Sequence, residues 1–258
     1  MPVLSGLFAP MVTPFTDDGG SISEIRLAKV VRHLRQNGAQ GFVICSETGE
    51  FTTINTGERK QLLELVLRQA LGLPVITHCT RLGTAQALDL CQHASRHGAR
   101  AAVIMPPYFG TYGEDEIEQH IRMIVQHAGL PIILVDPLHT VRADMRERMS
   151  NMADLYFAQT LEGSLHSRLA VDPTGASSDE FVFDDAVVSP LIQIDPKAVH
   201  DPNADLRPLA NFVAMYGRAR VAKAALNERD IEVGPPRAPV LTLRHEPTQE
   251  LLGMVQTD

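Results

Sequence analysis

Residues 74–107 read PVITHCTRLGTAQALDLCQHASRHGARAAVIMPP, and this stretch decides the fold. Its ends, Pro74–Thr80 and Ala101–Pro107, are short runs apolar on consecutive positions, the pattern of parallel strands covered on both faces. Between them Ala87, Leu88, Cys91 and Ala94 recur at helical spacing, and Gly98 stops the helix. Strand, helix and strand within about 30 residues make a βαβ unit.

The same rhythm continues outward on both sides. Further strands are expected at Gly6–Phe15, Gly41–Ser46, Pro131–Pro137 and Leu155–Glu162. Leu27, Val30, Val31 and Leu34 mark a helix opened by a Ser21-Ile22-Ser23-Glu24 capping box and stopped by Asn37-Gly38. Leu62, Leu63, Val66 and Leu67 mark another, and Ile117, Ile121, Ile124 and Val125 a further one ending at Gly129. A doubly wound open sheet and a closed (β/α)8 barrel both fit this order. The first strand, however, runs into Thr16-Asp17-Asp18-Gly19-Gly20 rather than a Gly-x-Gly-x-x-Gly turn, which favours the barrel.

Beyond Glu162 the pattern weakens. Gly163–Glu180 holds the turn-rich Pro173–Ser178. Phe181–Phe183 is read as a seventh strand and Leu191–Asp195 as an eighth, with too few residues between them for a full crossover helix. Helical periodicity returns over Ala204–Leu226, Gly234-Pro235-Pro236 breaks the chain, and a last helix is expected near Pro247–Val255. The prediction is an α/β chain of one domain, residues 1–258. It is a TIM barrel over about 1–200 with shortened seventh and eighth units, and a short C-terminal helical segment over about 203–258.

Composition narrows the function classes. A chain of 258 residues, 44% hydrophobic and 21% charged, is an ordinary globular one. A net charge of −8 argues against a nucleic-acid partner, which demands a clustered positive field. No apolar run is long enough to span a membrane, and the start Met1-Pro2-Val3-Leu4 lacks the basic and apolar regions of a signal peptide. Cys45, Cys79 and Cys91 form no Cys-x-x-Cys pair and are odd in number, so small buried core groups in a reducing, cytoplasmic setting are expected.

Several motifs resemble the dihydrodipicolinate synthase / N-acetylneuraminate lyase family of pyruvate-dependent aldolases. Thr13-Pro14-Phe15 is similar to the family's Thr-Pro-Phe after the first strand. Gly41–Glu50, reading GFVICSETGE, is similar to its Gly-Thr-Thr-Gly-Glu segment. Pro107-Tyr108-Phe109 resembles Pro-Tyr-Tyr, Pro131–Pro137 the fifth strand, and Lys223–Leu226 with Gly234–Arg237 the C-terminal helix and tail. The resemblance covers about two thirds of the chain and leaves residues 166–218 unmatched. It implies a (β/α)8 barrel, a homo-oligomer (dimer or tetramer), and a lysine on the sixth strand that forms an imine with pyruvate. It also implies tyrosine hydroxyls that relay protons, one from the fifth strand and one from a neighbouring subunit.

This sequence departs from that pattern at the chemistry itself. Gln159 stands where the resemblance places the lysine, and a carboxamide has no free amine lone pair to form an imine. Leu134 stands at the fifth-strand tyrosine, Glu47 at the first threonine, and Phe109 at the second tyrosine of Pro-Tyr-Tyr. Register error does not restore the amine, because no lysine occurs from Gln61 to Pro196. The chain's lysines are Lys29, Lys60, Lys197 and Lys223, and of these only Lys197, after the expected eighth strand, has a route to the barrel mouth.

The polar residues expected at the C-terminal ends of the strands are Ser46, Glu47, Thr48, His78, Cys79, Tyr108, Asp136, His139, Gln159, Thr160 and Glu162. Ser46, Glu47, Thr48, Tyr108, His139 and Gln159 are the candidate ligand-binding set; no catalytic residue is assigned and no cofactor is expected. His139 falls where the family often has a carboxylate-binding arginine, and Thr48 matches the part that cradles pyruvate's carboxylate. Glu47, His78, Asp136 and His139 include no His-x-His or His-x-x-x-His ligand pair, so no metal is expected. His93, His97, His120 and His127 fall on helices and read as surface positions. The leading reading is a family member without aldolase chemistry that binds a small carboxylate, a 2-oxo acid or a partner subunit. One alternative is an imine-free lyase or hydratase using Glu47, His139 or Asp136 as acid and base. Another is a structural subunit of a mixed oligomer.

Overall fold

The computed structural model describes residues 7–158, Ile194 and residues 205–255. Within them, strands β1 (Phe8–Pro10), β2 (Gly41–Ile44), β3 (Val75–His78), β4 (Ala101–Ile104), β5 (Ile132–Val135) and β6 (Leu155–Ala158) form one parallel sheet in the order β1-β2-β3-β4-β5-β6. A doubly wound sheet reverses its strand order at a switch point; this one does not over its six described strands, which is the order of a barrel. The crossovers are α1 (Glu24–Gln36), α2 (Thr56–Gln69), α3 (Thr84–His97), α4 (Glu114–His127) and α5 (Ala143–Met149). The C-terminal helices are α6 (Arg207–Tyr216), α7 (Arg218–Asn227) and α8 (His245–Val255).

Alternation along each strand sorts the apolar side chains into two layers. Phe8, Val43, Ile76, Ala101, Val103 and Ile133 form one cluster on the inner face of the sheet. Ala9, Phe42, Ile44, Val75, Ala102, Ile104, Ile132 and Leu134 face the helices and join their apolar stripes. At the bottom of the inner layer Phe8 lies beside Gly41 in register, and a Cβ at Gly41 would sit 2.4 Å from the Phe8 ring, so only glycine fits there.

The structure corrects several local expectations. The ladders are shorter than the apolar runs, because Met11, Val12, Thr13 and Cys45 leave the strands yet stay buried beneath the mouth loops. Helix α1 starts at Glu24 with Ser23 as its N-cap, accepting from the Arg26 amide, so the Ser21 capping box does not form. A reciprocal box occurs instead at α2, between Asn55 and Glu58. Helix α5, absent from the sequence reading, is a short segment that buries Met145 and Met149 one turn apart. The helical periodicity expected over Ala204–Leu226 is carried by two helices, separated at Gly217, whose φ of 88° ends α6. Phe181–Phe183 lies outside the described residues. Ile194 has helical backbone and is fully buried in the helix-side layer, so the expected eighth strand does not hold at that residue, and the rest of Leu191–Asp195 lies outside the described residues.

Candidate functional site

The mouth is built by the loops after the strands, and the loop after β2 is its most constrained part. Cys45 and Glu50 adopt left-handed backbone, with φ of 55° and 58°. Main-chain bonds close the loop on itself, Glu50 N to Glu47 O at 3.0 Å and Phe51 N to Ser46 O at 3.2 Å. Thr13, after β1, donates its hydroxyl to Gly49 O at 2.6 Å, and a Cβ on Gly49 would approach Met11 O to 3.0 Å. Arg59 of α2, almost wholly buried, donates to the carbonyls of Thr80 at 3.0 Å and Phe51, tying the loops after β2 and β3 together.

Glu50, at the end of this loop, anchors the C-terminal segment. Its Oε1 lies 2.6 Å from the Lys223 ammonium of α7, and its Oε2 accepts from the Arg237 amide at 2.7 Å. Lys223 also donates to Pro235 O at 2.9 Å and sits 4.2 Å from the Phe15 ring centroid. The Arg237 guanidinium lies over the same ring at 4.1 Å and pairs with Glu58 at 2.9 Å. Gly234, at φ 73°, passes so close to Phe15 O that a Cβ would be 2.3 Å from it. Both partners of the central pair are buried, Lys223 at 1% and Glu50 at 3% side-chain exposure, and burial pushes the lysine down to about 8 despite the carboxylate beside it. This lysine is enclosed rather than presented to a ligand.

The candidate residues divide into open and engaged groups. Ser46 is buried, and among the described residues its hydroxyl has no hydrogen-bond partner. Thr48 is buried beside it in the loop, while Glu47 reaches outward with 60% of its side chain exposed. Glu47 pairs at 3.1 Å with Arg218, the first residue of α7, whose side chain is 8% exposed and whose Nη1 is buried without a partner among the described residues. The sequence reading missed Arg218, which lay in the stretch without family resemblance. Tyr108 is half-exposed and His139, at φ 52°, is exposed. Asp136 is withdrawn from chemistry: one oxygen accepts from Thr140 Oγ1 at 3.0 Å and the other from the Val141 amide at 2.7 Å, so it shapes the β5–α5 loop.

His78 is likewise structural. It lies in the inward register row His78–Val103–Ile133–Tyr156, edge-on to Phe51, and burial with the Arg59 charge pushes it to about 3. A ring so weakly basic stays neutral and takes no proton near neutral pH. Tyr156, in the same row, was not foreseen as an inward-facing position. The fifth-strand assignment also shifts by one residue. Leu134 packs with the helix-side layer, and the residue that joins the inner layer at the end of β5 is Val135. Gln159, Thr160, Glu162 and Lys197 lie outside the described residues. Cys45, Cys79 and Cys91 are free and buried, and burial raises Cys45 to about 12, as expected for inert core thiols. His120 departs from its expected surface position: it is buried, with Nδ1 2.9 Å from Thr84 Oγ1. Among the described residues no helix is long and apolar enough to cross a membrane.

Comparison with known proteins places this loop architecture. The model of the Dihydrodipicolinate synthetase family matches residues 3–147. The chain belongs to that family. A 4-hydroxy-tetrahydrodipicolinate synthase of Methanothrix thermoacetophila is 29% identical across 80% of this chain and 71% of its own length. An uncharacterised DapA-like lyase of Pyrococcus abyssi is 36% identical across 51% of this chain and 44% of its own. Among solved structures, a dihydrodipicolinate synthase of Thermotoga maritima superposes with a TM-score of 0.83 at 20% identity, covering 97% of each chain. The N-acetylneuraminate lyase of Proteus mirabilis gives 0.75 at 21%, covering 98% of each. The fold is therefore the (β/α)8 barrel of the dihydrodipicolinate synthetase family, and Glu50, Phe15, Lys223 and Arg237 tie its C-terminal segment to the mouth.

Two outcomes test this description. Lys223→Met strands a buried carboxylate and is expected to lower unfolding free energy in urea by ~3–5 kcal/mol, with Glu50→Gln added to it recovering part of the loss. His78 holds its folded-state value near 3, below the ordinary 6.5, so the unfolded chain alone takes up its proton as pH falls through 6.5. Its stabilising contribution is complete above about 6.5 and declines toward 3. Between pH 7 and pH 5 the wild type is expected to lose about 2 kcal/mol more than His78→Phe, a difference that denaturation at the two pH values reads directly.

Proposed function

We propose that this member of the dihydrodipicolinate synthetase family has lost imine-forming aldolase chemistry and retains a pocket for a small carboxylate, such as a 2-oxo acid. The observation that carries the reading is the absence of any lysine from Gln61 to Pro196, a span that includes β3 through β6. An imine requires an uncharged primary amine within reach of the keto carbon. Lys29 and Lys60 are spent on Glu232 at 3.0 Å and Asp89 at 2.7 Å, and Lys223 is closed in by Glu50, Pro235 and Phe15. The proton relay is missing as well, since neither Leu134 nor Val135 offers a hydroxyl at the end of β5, and Phe109 lacks one.

What survives suits binding. The Ser46 hydroxyl and the Arg218 Nη1, both without a partner among the described residues, together with the neighbouring Thr48 supply hydrogen-bond donors around Glu47. Gln159 adds neutral hydrogen bonding in this reading, and His139 and Tyr108 line the rim. The reduced buried thiols suit a cytoplasmic protein.

Pyruvate tests both halves. With pyruvate and borohydride the intact protein is expected to keep its mass, while pyruvate alone raises its melting temperature and Thr48→Val removes the rise. A covalent adduct, located by peptide mapping to Lys197 or any other lysine, ends the claim of lost chemistry. No shift with pyruvate or with simple carboxylates such as acetate or oxalate ends the claim of a retained pocket.

We extend the reading to assembly as a homo-oligomer. The loop between β4 and α4 exposes Phe109 at 76%, with Tyr108 and Tyr112 half-exposed beside it, an apolar cluster suited to burial against a second copy. Light scattering is expected to give a dimer or tetramer that Phe109→Asp dissociates; a monomeric wild type overturns it.

A further inference from the structure

On the outer surface, away from the mouth loops, α2 and α3 are joined by a ladder of polar contacts one helical turn apart. Lys60 of α2 pairs with Asp89 of α3 at 2.7 Å. One turn further along both helices, Glu64 meets His93 and His97, a His-x-x-x-His pair that places two imidazoles on one face of α3. Glu64 Oε1 is 3.2 Å from His93 Nε2 and 3.9 Å from His97 Nε2. The three ligand atoms all lie within 4.8 Å of one another. The rings stack with centroids 4.1 Å apart, so both present a nitrogen to the same carboxylate.

The three side chains differ in exposure in a way that suits a cation. His93 is 12% exposed, and its Nε2 is buried without a hydrogen bond among the described residues, although a carboxylate oxygen lies near it. Glu64 and His97 are 38% and 41% exposed, leaving an open side for water. Burial and the His97 charge lower the basicity of His93, against the opposing effect of Glu64, and the nearby Lys60 is itself balanced by Asp89.

We propose that Glu64, His93 and His97 form a binding site for a divalent cation of the zinc class, clasping α2 to α3. Bonds of about 2.0–2.2 Å to imidazole nitrogen and carboxylate oxygen put tetrahedral donors ~3.3 Å apart, so the Glu64–His93 separation already fits. Bringing His97 in requires a shift of up to about 1.5 Å by a half-exposed side chain, since the three donor atoms are spread over as much as 4.8 Å. Two imidazoles and a carboxylate select zinc, cobalt(II) or nickel over magnesium or calcium, whose preferred donors are oxygens.

The test uses the full chain without a histidine tag, stripped with chelator and titrated calorimetrically with zinc chloride. One equivalent per chain is expected, with half-saturation at micromolar zinc. His97→Ala and Glu64→Gln, both at partly exposed positions, are each expected to weaken binding at least ~tenfold, and His127→Ala on α4 to leave it unchanged. Melting curves of the metal-free variants verify that they fold. A wild-type chain that takes up no zinc, or uptake that survives His97→Ala with less than a tenfold loss, overturns the site.

Discussion

The buried ion pair between Glu50 and Lys223 holds the two ends of this molecule together. The carboxylate closes the loop after β2 and the ammonium comes from α7, more than 170 residues later, so the pair is one of the long-range constraints that shape the mouth. Desolvating two charges is costly, and the surroundings offset that cost with further contacts rather than with charge alone. The Pro235 carbonyl, the Arg237 amide and the Phe15 ring each engage one of the partners. Around them Arg237 reaches Gly19, Thr53 and Glu58, so the chain after α7 is fastened to both the first and second loops.

This convergence explains which parts of the family pattern persist. Thr13 and Phe15, Gly49 and Glu50, Lys223, Gly234 and Arg237 all belong to motifs that the sequence retains, and all of them meet in the clamp or in the loop it secures. In the proposed reading the departures, at Gln159, at the end of β5 and at Phe109, are those expected to have carried the family's chemistry. A position that bears on folding resists change independently of what the barrel binds, which sets the clamp apart from the residues on which the proposed loss of imine chemistry rests.

The architecture was legible because parallel strands and their covering helices write two different apolar periods, as in Pro74–Pro107. The ends of the strands were less so. Apolar residues such as Met11 and Val12 continue past the ladder into buried loops, and hydrophobicity does not distinguish a paired from an unpaired residue. The choice between Leu134 and Val135 turns on a single step of register, which exchanges the two faces of the sheet. Arg218 was out of reach of local reading, since nothing in its neighbours announces that Glu47, distant in sequence, is its partner. His78 and Asp136 had the right residue types and the right strand ends, and only their burial and bonding reveal them as supports. The His93-x-x-x-His97 spacing was visible in the sequence, but Glu64, which gives it meaning, arrives from another helix.

The loop carrying Ser46, Glu47 and Thr48 takes its path through left-handed turns at Cys45 and Glu50 and through carbonyl–amide closures of the main chain. If these residues form the ligand set, as proposed, recognition in this barrel is thereby uncoupled from folding. On that proposal, exchanging those side chains changes what the entrance prefers while the main chain that carries them stays in place, so one inherited framework is open to retuning toward new guests by point substitution.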